Sequence, residues 1–251
     1  MNPTICIPFN NASLDYAEKH LARNGINTVP LPCADATHLL LPVPSFDDDG
    51  SIRGGGSIEG LLRQLPNTVS IIGGNLYHAA LKGYETIDLL QDPYYVAQNA
   101  AITAHCALKY ILNALPVSLV HQRILVIGWG RIGKCLAQLL QGLNAHVTIL
   151  ARKEADRAMA AALGYHAIGT EADLSPFRIL INTAPAQVIT EAQLSKCRSD
   201  CFKLDLASTQ GIPGRDVIWA RGLPGRDAPE SSGVLIASSA MRLLYNKEGS
   251  S

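Results

Sequence analysis

Gly128, Gly130 and Gly133 follow a short apolar run, Ile124 to Ile127, and open a helical pattern that carries Ile132, Leu136, Leu139, Leu140 and Leu143. A buried strand, a G-x-G-x-x-G turn and a helix, in that order, make the fingerprint of a dinucleotide diphosphate site. Gly128 makes the tight turn. Gly130 lets a diphosphate approach the backbone, and Gly133 lets helix and strand pack closely. The helix N-terminus offers free N–H groups and a partial positive charge to the phosphates. Arg131 and Ile132, inside the motif, join the three glycines as expected cofactor-binding residues. A glycine turn that holds no ligand is the other reading of the same residues.

The next strand decides which dinucleotide. NAD-selective sites place an acid about 20 residues past the fingerprint, on the ribose hydroxyl. Here the strand His146–Leu150 runs into Ala151-Arg152-Lys153. A guanidinium and an ammonium at that point would attract a 2′-phosphate, which an acid would repel. Arg152 and Lys153 therefore predict NADP. The alternative is a solvated turn, with Glu154 capping the helix that follows. Two further polar tips follow apolar strands: Asn182-Thr183-Ala184-Pro185 and Asp205-Leu206-Ala207-Ser208. Ligands bind at the carboxyl ends of strands in open α/β sheets, so both tips are expected to line the nicotinamide end of the groove. Ordinary strand-end capping would also account for them.

The elements that must position these residues are legible as alternation. Strands are expected at Thr4–Pro8, Asn27–Leu31, Val69–Ile72, Ile124–Ile127, His146–Leu150, Ile179–Asn182, Phe202–Leu206 and Val217–Ala220, and Leu39–Val43 is a further apolar run closed by Pro42 and Pro44. Helices are expected at Asn11–Asn24, Gly60–Leu65, Val96–Leu115, Ala155–Leu163, Glu191–Lys196 and Gly233–Tyr245, with a Gly/Pro loop at Arg221–Pro229. Strand–helix alternation implies α/β architecture with parallel sheets. Two Rossmann-like lobes are expected, the C-terminal one a doubly wound dinucleotide-binding domain. Residues 1–95 would form a substrate or catalytic lobe, completed by the helix at 230–247. Residues 96–229 would form the NADP-binding domain with its bridging helix. A substrate held between the lobes is the expected arrangement.

Bulk properties narrow the function class. The 251 residues carry no net charge and no basic cluster, so nucleic acid is an improbable partner. A hydrophobic content of 47% is ample for packed cores, yet the apolar runs are too short for a membrane span. The N-terminus shows no signal-peptide pattern. The six cysteines are scattered, and only Cys197 and Cys201 share a close spacing. Buried thiols in a cytoplasmic protein are expected, and no metal site. No internal repeat is evident.

Taken together, these segments resemble the NADP-binding dehydrogenase subunits of bacterial dipicolinate synthase. The likeness rests on Gly128-Trp-Gly-Arg-Ile-Gly133, Gly142-Leu-Asn-Ala-His-Val147, Ala151-Arg152, Ile181-Asn-Thr-Ala-Pro185, Asp205-Leu-Ala-Ser208 and Gly222-Leu-Pro-Gly225 with Ala228-Pro229. Leu40-Leu-Pro-Val43 and Asn99-Ala-Ala-Ile-Thr103 add to it, so it covers most of the chain from about Leu39 onward. The Arg, Glu and His pattern of 2-hydroxy-acid dehydrogenases is not found. The resemblance implies NADP-linked oxidation of dihydrodipicolinate to dipicolinate, a pyridine dicarboxylate accumulated during sporulation. It also implies a complex with a separate, flavoprotein-like partner subunit. A homo-oligomer is expected as well.

The chain departs from that family's pattern where substrate would sit. The family's Pro-Thr-x-Glu-Gly reads Ile102-Thr-Ala-His-Cys106, its Ala-Ser-x-Pro-Gly-Gly reads Ala207-Ser-Thr-Gln-Gly-Ile212, and its Ala-Pro-Lys reads Ala228-Pro-Glu230. The first lobe is shorter, and Ile7-Pro-Phe-Asn-Asn11 replaces the family's N-terminal glycine turn. His105, Ser208 and Asp205 are the expected catalytic residues. Thr103, Arg226, Gly222, Leu223 and Pro224 are expected to bind a small dicarboxylate, with Arg226 as its cation. His105 and Glu230 are expected to lie close together, in place of a family Glu–Lys pair. Two other functions fit the same residues: a dehydrogenase of another small carboxylate, and a non-catalytic NADP-binding subunit.

Overall fold

The computed structural model describes residues 3–248. They divide between two α/β units. One takes the described residues up to Asn99 and from Pro224 onward, and the other takes Ala100–Leu223.

The first unit begins with β1 (Thr4–Cys6), α1 (Ala12–Arg23), β2 (Asn27–Val29), β3 (His38–Leu40), α2 (Ile58–Leu62), β4 (Ser70–Gly73) and β5 (Thr86–Asp88). Its five strands pair in parallel in the order β2-β1-β3-β4-β5. Asn11 starts α1 by accepting from the backbone N–H groups of Ser13 and Leu14. Gly25 follows that helix at φ 77°, a conformation glycine adopts without strain. The strands carry Ile5, Leu39, Leu40, Ile71 and Ile72 into the interior. A long helix, α3 (Pro93–Ala114), starts in this unit and continues into the other. Asp92 caps it, accepting from Tyr95 N at 2.9 Å.

The chain returns to the first unit near the end of a short helix, α7 (Leu223–Asp227), and closes with α8 (Pro229–Glu248). Gly233 brings α8 hard against α1: a Cβ there would stand 2.2 Å from Ser13 O and 2.8 Å from Ala17 N. Ser238 Oγ meets His20 Nε2 at 3.3 Å. Arg242 of α8 pairs with Asp92, its guanidinium lying over the Tyr94 ring.

The second unit takes the rest of α3, then β6 (Arg123–Ile127), α4 (Arg131–Gly142), β7 (His146–Leu150), α5 (Glu154–Ala162) and β8 (His166–Ile168). It continues with β9 (Ile179–Asn182), α6 (Glu191–Leu194), β10 (Phe202–Asp205) and β11 (Ile218–Trp219). The sheet is parallel throughout, in the order β11-β10-β9-β6-β7-β8. Counted within the unit this is the doubly wound arrangement, whose direction reverses between β6 and β9. Its central strands are buried along their length, which explains why they read as unbroken apolar runs.

Two strands, β5 and β8, were not expected from the sequence. Each is only three residues long, with no run of apolar residues to announce it. The Gly/Pro segment expected as an open loop holds α7. Among the described residues, no helix is long and apolar enough to cross a membrane.

Candidate functional site

The carboxyl edge of the second unit is laced residue by residue. Gly128 N donates to Leu150 O at 2.9 Å, and Thr183 N to Ile127 O at 2.8 Å. Leu206 N donates to Asn182 O at 2.9 Å, and Ala220 N to Asp205 O at 2.8 Å. Each strand is thereby tied to its neighbour one residue beyond its end, so the tips that would meet a ligand are held in register.

The glycine turn fits a dinucleotide. Gly128 has φ 99°, and a Cβ there would meet Thr183 Oγ1 at 2.8 Å. A Cβ on Gly133 would stand 2.4 Å from Gly128 O, so only glycine lets α4 begin this close to β6. Gly130 differs, with nothing within 4 Å of a Cβ. That open position, at the N-cap of a helix with no side-chain cap and no acid in its first turn, is where a diphosphate can approach backbone N–H groups. Arg131 is exposed there and Ile132 is half-buried. Thr183 Oγ1 donates to Ile127 O at 3.0 Å, so Thr183 and Ala184 brace the turn from the neighbouring strand. Trp129 is buried, its ring meeting Tyr165 edge-on with centroids 5.5 Å apart. Burial holds the Tyr165 hydroxyl above its usual range.

Arg152 and Lys153 are exposed beyond β7, and neither side chain is held by an ion pair or hydrogen bond among the described residues. A third cation, not noticed in the sequence, stands with them. Arg157 Nη1 donates to the carbonyls of Ala151 at 2.9 Å and Arg152 at 2.7 Å, steadying the turn. Only its i+4 helical spacing from Lys153 could have signalled it.

Asp205 is a correction. Expected to be catalytic, it is fully buried, and its carboxylate accepts four hydrogen bonds. Asn182 Nδ2 at 3.0 Å and Ala207 N at 3.0 Å share Oδ1, while Gly211 N at 2.7 Å and Ile212 N at 2.9 Å share Oδ2. With both oxygens engaged and the side chain buried, Asp205 organises the 205–212 segment rather than facing a ligand. Asn182 is buried too, bonding Ala184 in both directions. It shapes the tip rather than touching ligand with its side chain. Ser208 alone of the Asp-Leu-Ala-Ser stretch is exposed.

The expected substrate residues fare unevenly. Gly222 is exposed at φ 65°, but Leu223 is 1% exposed and cannot line an open surface. Pro224 lies within α7, so the segment is a helical turn and not an open glycine loop. The Arg226 guanidinium is taken by Asp227, with Nη2 to Oδ2 at 2.9 Å, which neutralises the cation expected for the substrate. Thr103 is buried on α3, whereas His105 is exposed on it. His105 and Glu230 fall in different units, both exposed. Among the described residues, no cluster of His, Cys, Asp and Glu is suited to a metal.

Residues 112–204 match the NAD-binding domain of the D-isomer specific 2-hydroxyacid dehydrogenase family. The domain is thus of the nicotinamide-dinucleotide-binding, oxidoreductase type. The match stops just short of Asp205-Leu-Ala-Ser208. A dipicolinate synthase chain from Bacillus halodurans has a similar structure, with TM-score 0.83, 21% identity, and coverage of 96% of this chain and 97% of that one. The corresponding dipicolinate synthase chain from Bacillus subtilis gives TM-score 0.83 and 20% identity, covering 100% of this chain and 98% of that one. The D-lactate dehydrogenase from Escherichia coli gives 0.64 and 14%, covering 98% and 97%. No curated protein matches the sequence.

Proposed function

We propose that the chain is an NADP-dependent dehydrogenase that oxidises dihydrodipicolinate to dipicolinate. The observation that carries this reading is the Asp205–Ser208 segment, the family's more specific signature, held rigidly at the carboxyl edge of a dinucleotide-binding sheet. The end-to-end likeness to two dipicolinate synthase chains supports it. Bound NADP would supply a hydride acceptor. The residues of this chain do the rest. The backbone at Gly128, Gly130 and Gly133 holds the diphosphate, while Arg152 and Lys153 hold the 2′-phosphate. Ser208 hydrogen-bonds the substrate. His105 accepts the one proton that leaves when the ring becomes aromatic. Aromatisation drives the reaction, so orientation is the main task left to the protein. A flavoprotein-like partner belongs to this reading.

The 112–204 match favours a second reading, a dehydrogenase of another small carboxylate. One experiment separates them. Purified protein is given NADP with dihydrodipicolinate, or with a series of D-2-hydroxy acids, and reduced cofactor and organic product are both measured. Equal amounts of NADPH and dipicolinate are expected from the first arm alone. Turnover of a hydroxy acid instead selects the second reading. NADPH binding with no turnover, with the partner protein included, leaves a non-catalytic role.

A further inference from the structure

Trp219 and Arg221 form a cluster that no step above uses. Trp219 closes β11, in register with Asp205 across the strand pair. Its Nε1–H donates to Ala207 O at 2.9 Å. The Ala220 N–H donates to Asp205 O, so the two segments are pinned together twice. Trp219 is nevertheless 41% exposed, against 6% for Trp129. Arg221 lays its guanidinium over this ring, 5.0 Å from the centroid. No hydrogen bond or ion pair among the described residues engages that guanidinium.

A guanidinium stacked on an aromatic face spends its flat side there and keeps its in-plane N–H donors free. Those donors suit a carboxylate, which they can grip with two parallel bonds. The cation is rigidly mounted at the edge of the sheet where ligands of this fold bind, on the segment pinned to the 205–208 turn that exposes Ser208. Arg226, by contrast, is already paired with Asp227 and belongs to the other unit.

The geometry points to Arg221 and Trp219 as the substrate-recognition pair of this protein. Arg221 takes one carboxylate of the substrate, and the exposed part of the Trp219 indole supports its planar ring. This deepens the proposed function and rests on it for the identity of the reaction. The ligand class is a flat ring bearing a carboxylate.

The test is binding by calorimetry to the intact protein, with NADPH present. The probes are pyridine-2,6-dicarboxylate, benzene-1,3-dicarboxylate and glutarate, the last equal in charge but without a ring. Wild type should prefer both flat dicarboxylates to glutarate by about tenfold or more, in line with stacking plus a bidentate contact. Arg221→Gln should weaken all three probes by about tenfold, the value of one charge-assisted contact. Trp219→Leu should abolish the preference for flat probes. Trp219→Phe keeps a flat ring but loses the bond to Ala207 O, and should retain the preference, which a merely structural role would not. NADPH affinity should hold within about twofold in every variant, because the cofactor contacts lie on other strands. The proposal is overturned if wild type binds neither flat probe, or if Arg221→Gln and Trp219→Leu leave the affinities and the preference unchanged. If the preference behaves as expected while dihydrodipicolinate is not oxidised, the subsite stands and the proposed reaction falls.

Discussion

Asn182 Nδ2 donates to Asp205 Oδ1 across 3.0 Å, joining two residues that face each other at the carboxyl ends of β9 and β10. The bond makes two strand tips into one unit. Asp205 then gathers the N–H groups of Ala207, Gly211 and Ile212, so the chain turns back around a buried carboxylate. Ser208 is carried at the exposed crest of that turn.

Replacing Asp205 with Asn should therefore damage the fold before it damages any chemistry. Whichever way the amide points, its NH2 faces at least one N–H donor. Losing a charged acceptor for a buried donor costs about 1.5–3 kcal/mol. Urea unfolding should show a lowered midpoint, and turnover should fall more than NADPH affinity because Ser208 rides on the turn. An unchanged midpoint would contradict the four-donor arrangement.

Gly130 and Gly133 should separate binding from stability. Gly130→Ala meets no protein atom, so thermal unfolding should match wild type while NADPH affinity drops. Gly133→Ala forces a Cβ against Gly128 O, and overpacking of this kind costs about 1–3 kcal/mol. That variant should lose both melting temperature and cofactor. Equal behaviour of the two variants would refute the assignment of Gly130 to the ligand.

Arg152→Asp should reverse the cofactor preference. Removing one charge-assisted phosphate contact weakens NADPH by about 1.5–3 kcal/mol, and the new acid suits a ribose hydroxyl. Calorimetry should show wild type binding NADPH more tightly than NADH, with the gap closed or inverted in the variant. Stronger NADH binding by wild type would count against NADP.

Two buried thiols give a pH dependence. Burial pushes Cys201 up to about 12, with the Cys197 thiol adding to it, and burial likewise pushes Cys6 up to about 11, with Cys33 adding to it. A raised folded value means the native state holds its proton more tightly than the unfolded chain does. The stabilisation is complete below the ordinary thiol value, about 8.5, and is lost as pH climbs through the folded values. Melting temperature should decline above that point, and Cys201→Ala should make the decline shallower. A slope identical to wild type would show that Cys201 does not contribute.

How much of this was legible depended on sequence range. The runs at Ile124–Ile127, His146–Leu150 and Ile179–Asn182 announce buried parallel strands, and Asn11 and Gly25 mark both ends of α1. Short-range pattern fails for β5 and β8, whose three residues alternate too little to stand out. It fails again at Gly222-Leu-Pro-Gly225, where residues that usually break helices form a turn of one. The role of Asp205 was out of reach because its partners Asn182, Gly211 and Ile212 meet it only through the fold. Trp219 and Arg221 gave no signal because a residue pair spaced two apart is unremarkable until the ring and the guanidinium are seen stacked. The glycine turn was the most readable feature, since close packing of β6 and α4 fixes the spacing of Gly128 and Gly133.

The second unit is an insertion in the first, entered through α3 and left through α7. Synthesis from the N-terminus therefore completes the dinucleotide-binding sheet while the first sheet still lacks α8, the helix that Gly233 presses onto α1. On the ribosome, the later-starting unit is the earlier to be finished, and the face of α1 around Ser13 and Ala17 must wait uncovered until α8 emerges. Nascent chains halted before α8 should already protect the second unit from protease while leaving α1 open to cutting, a window in which a chaperone has a definite surface to guard.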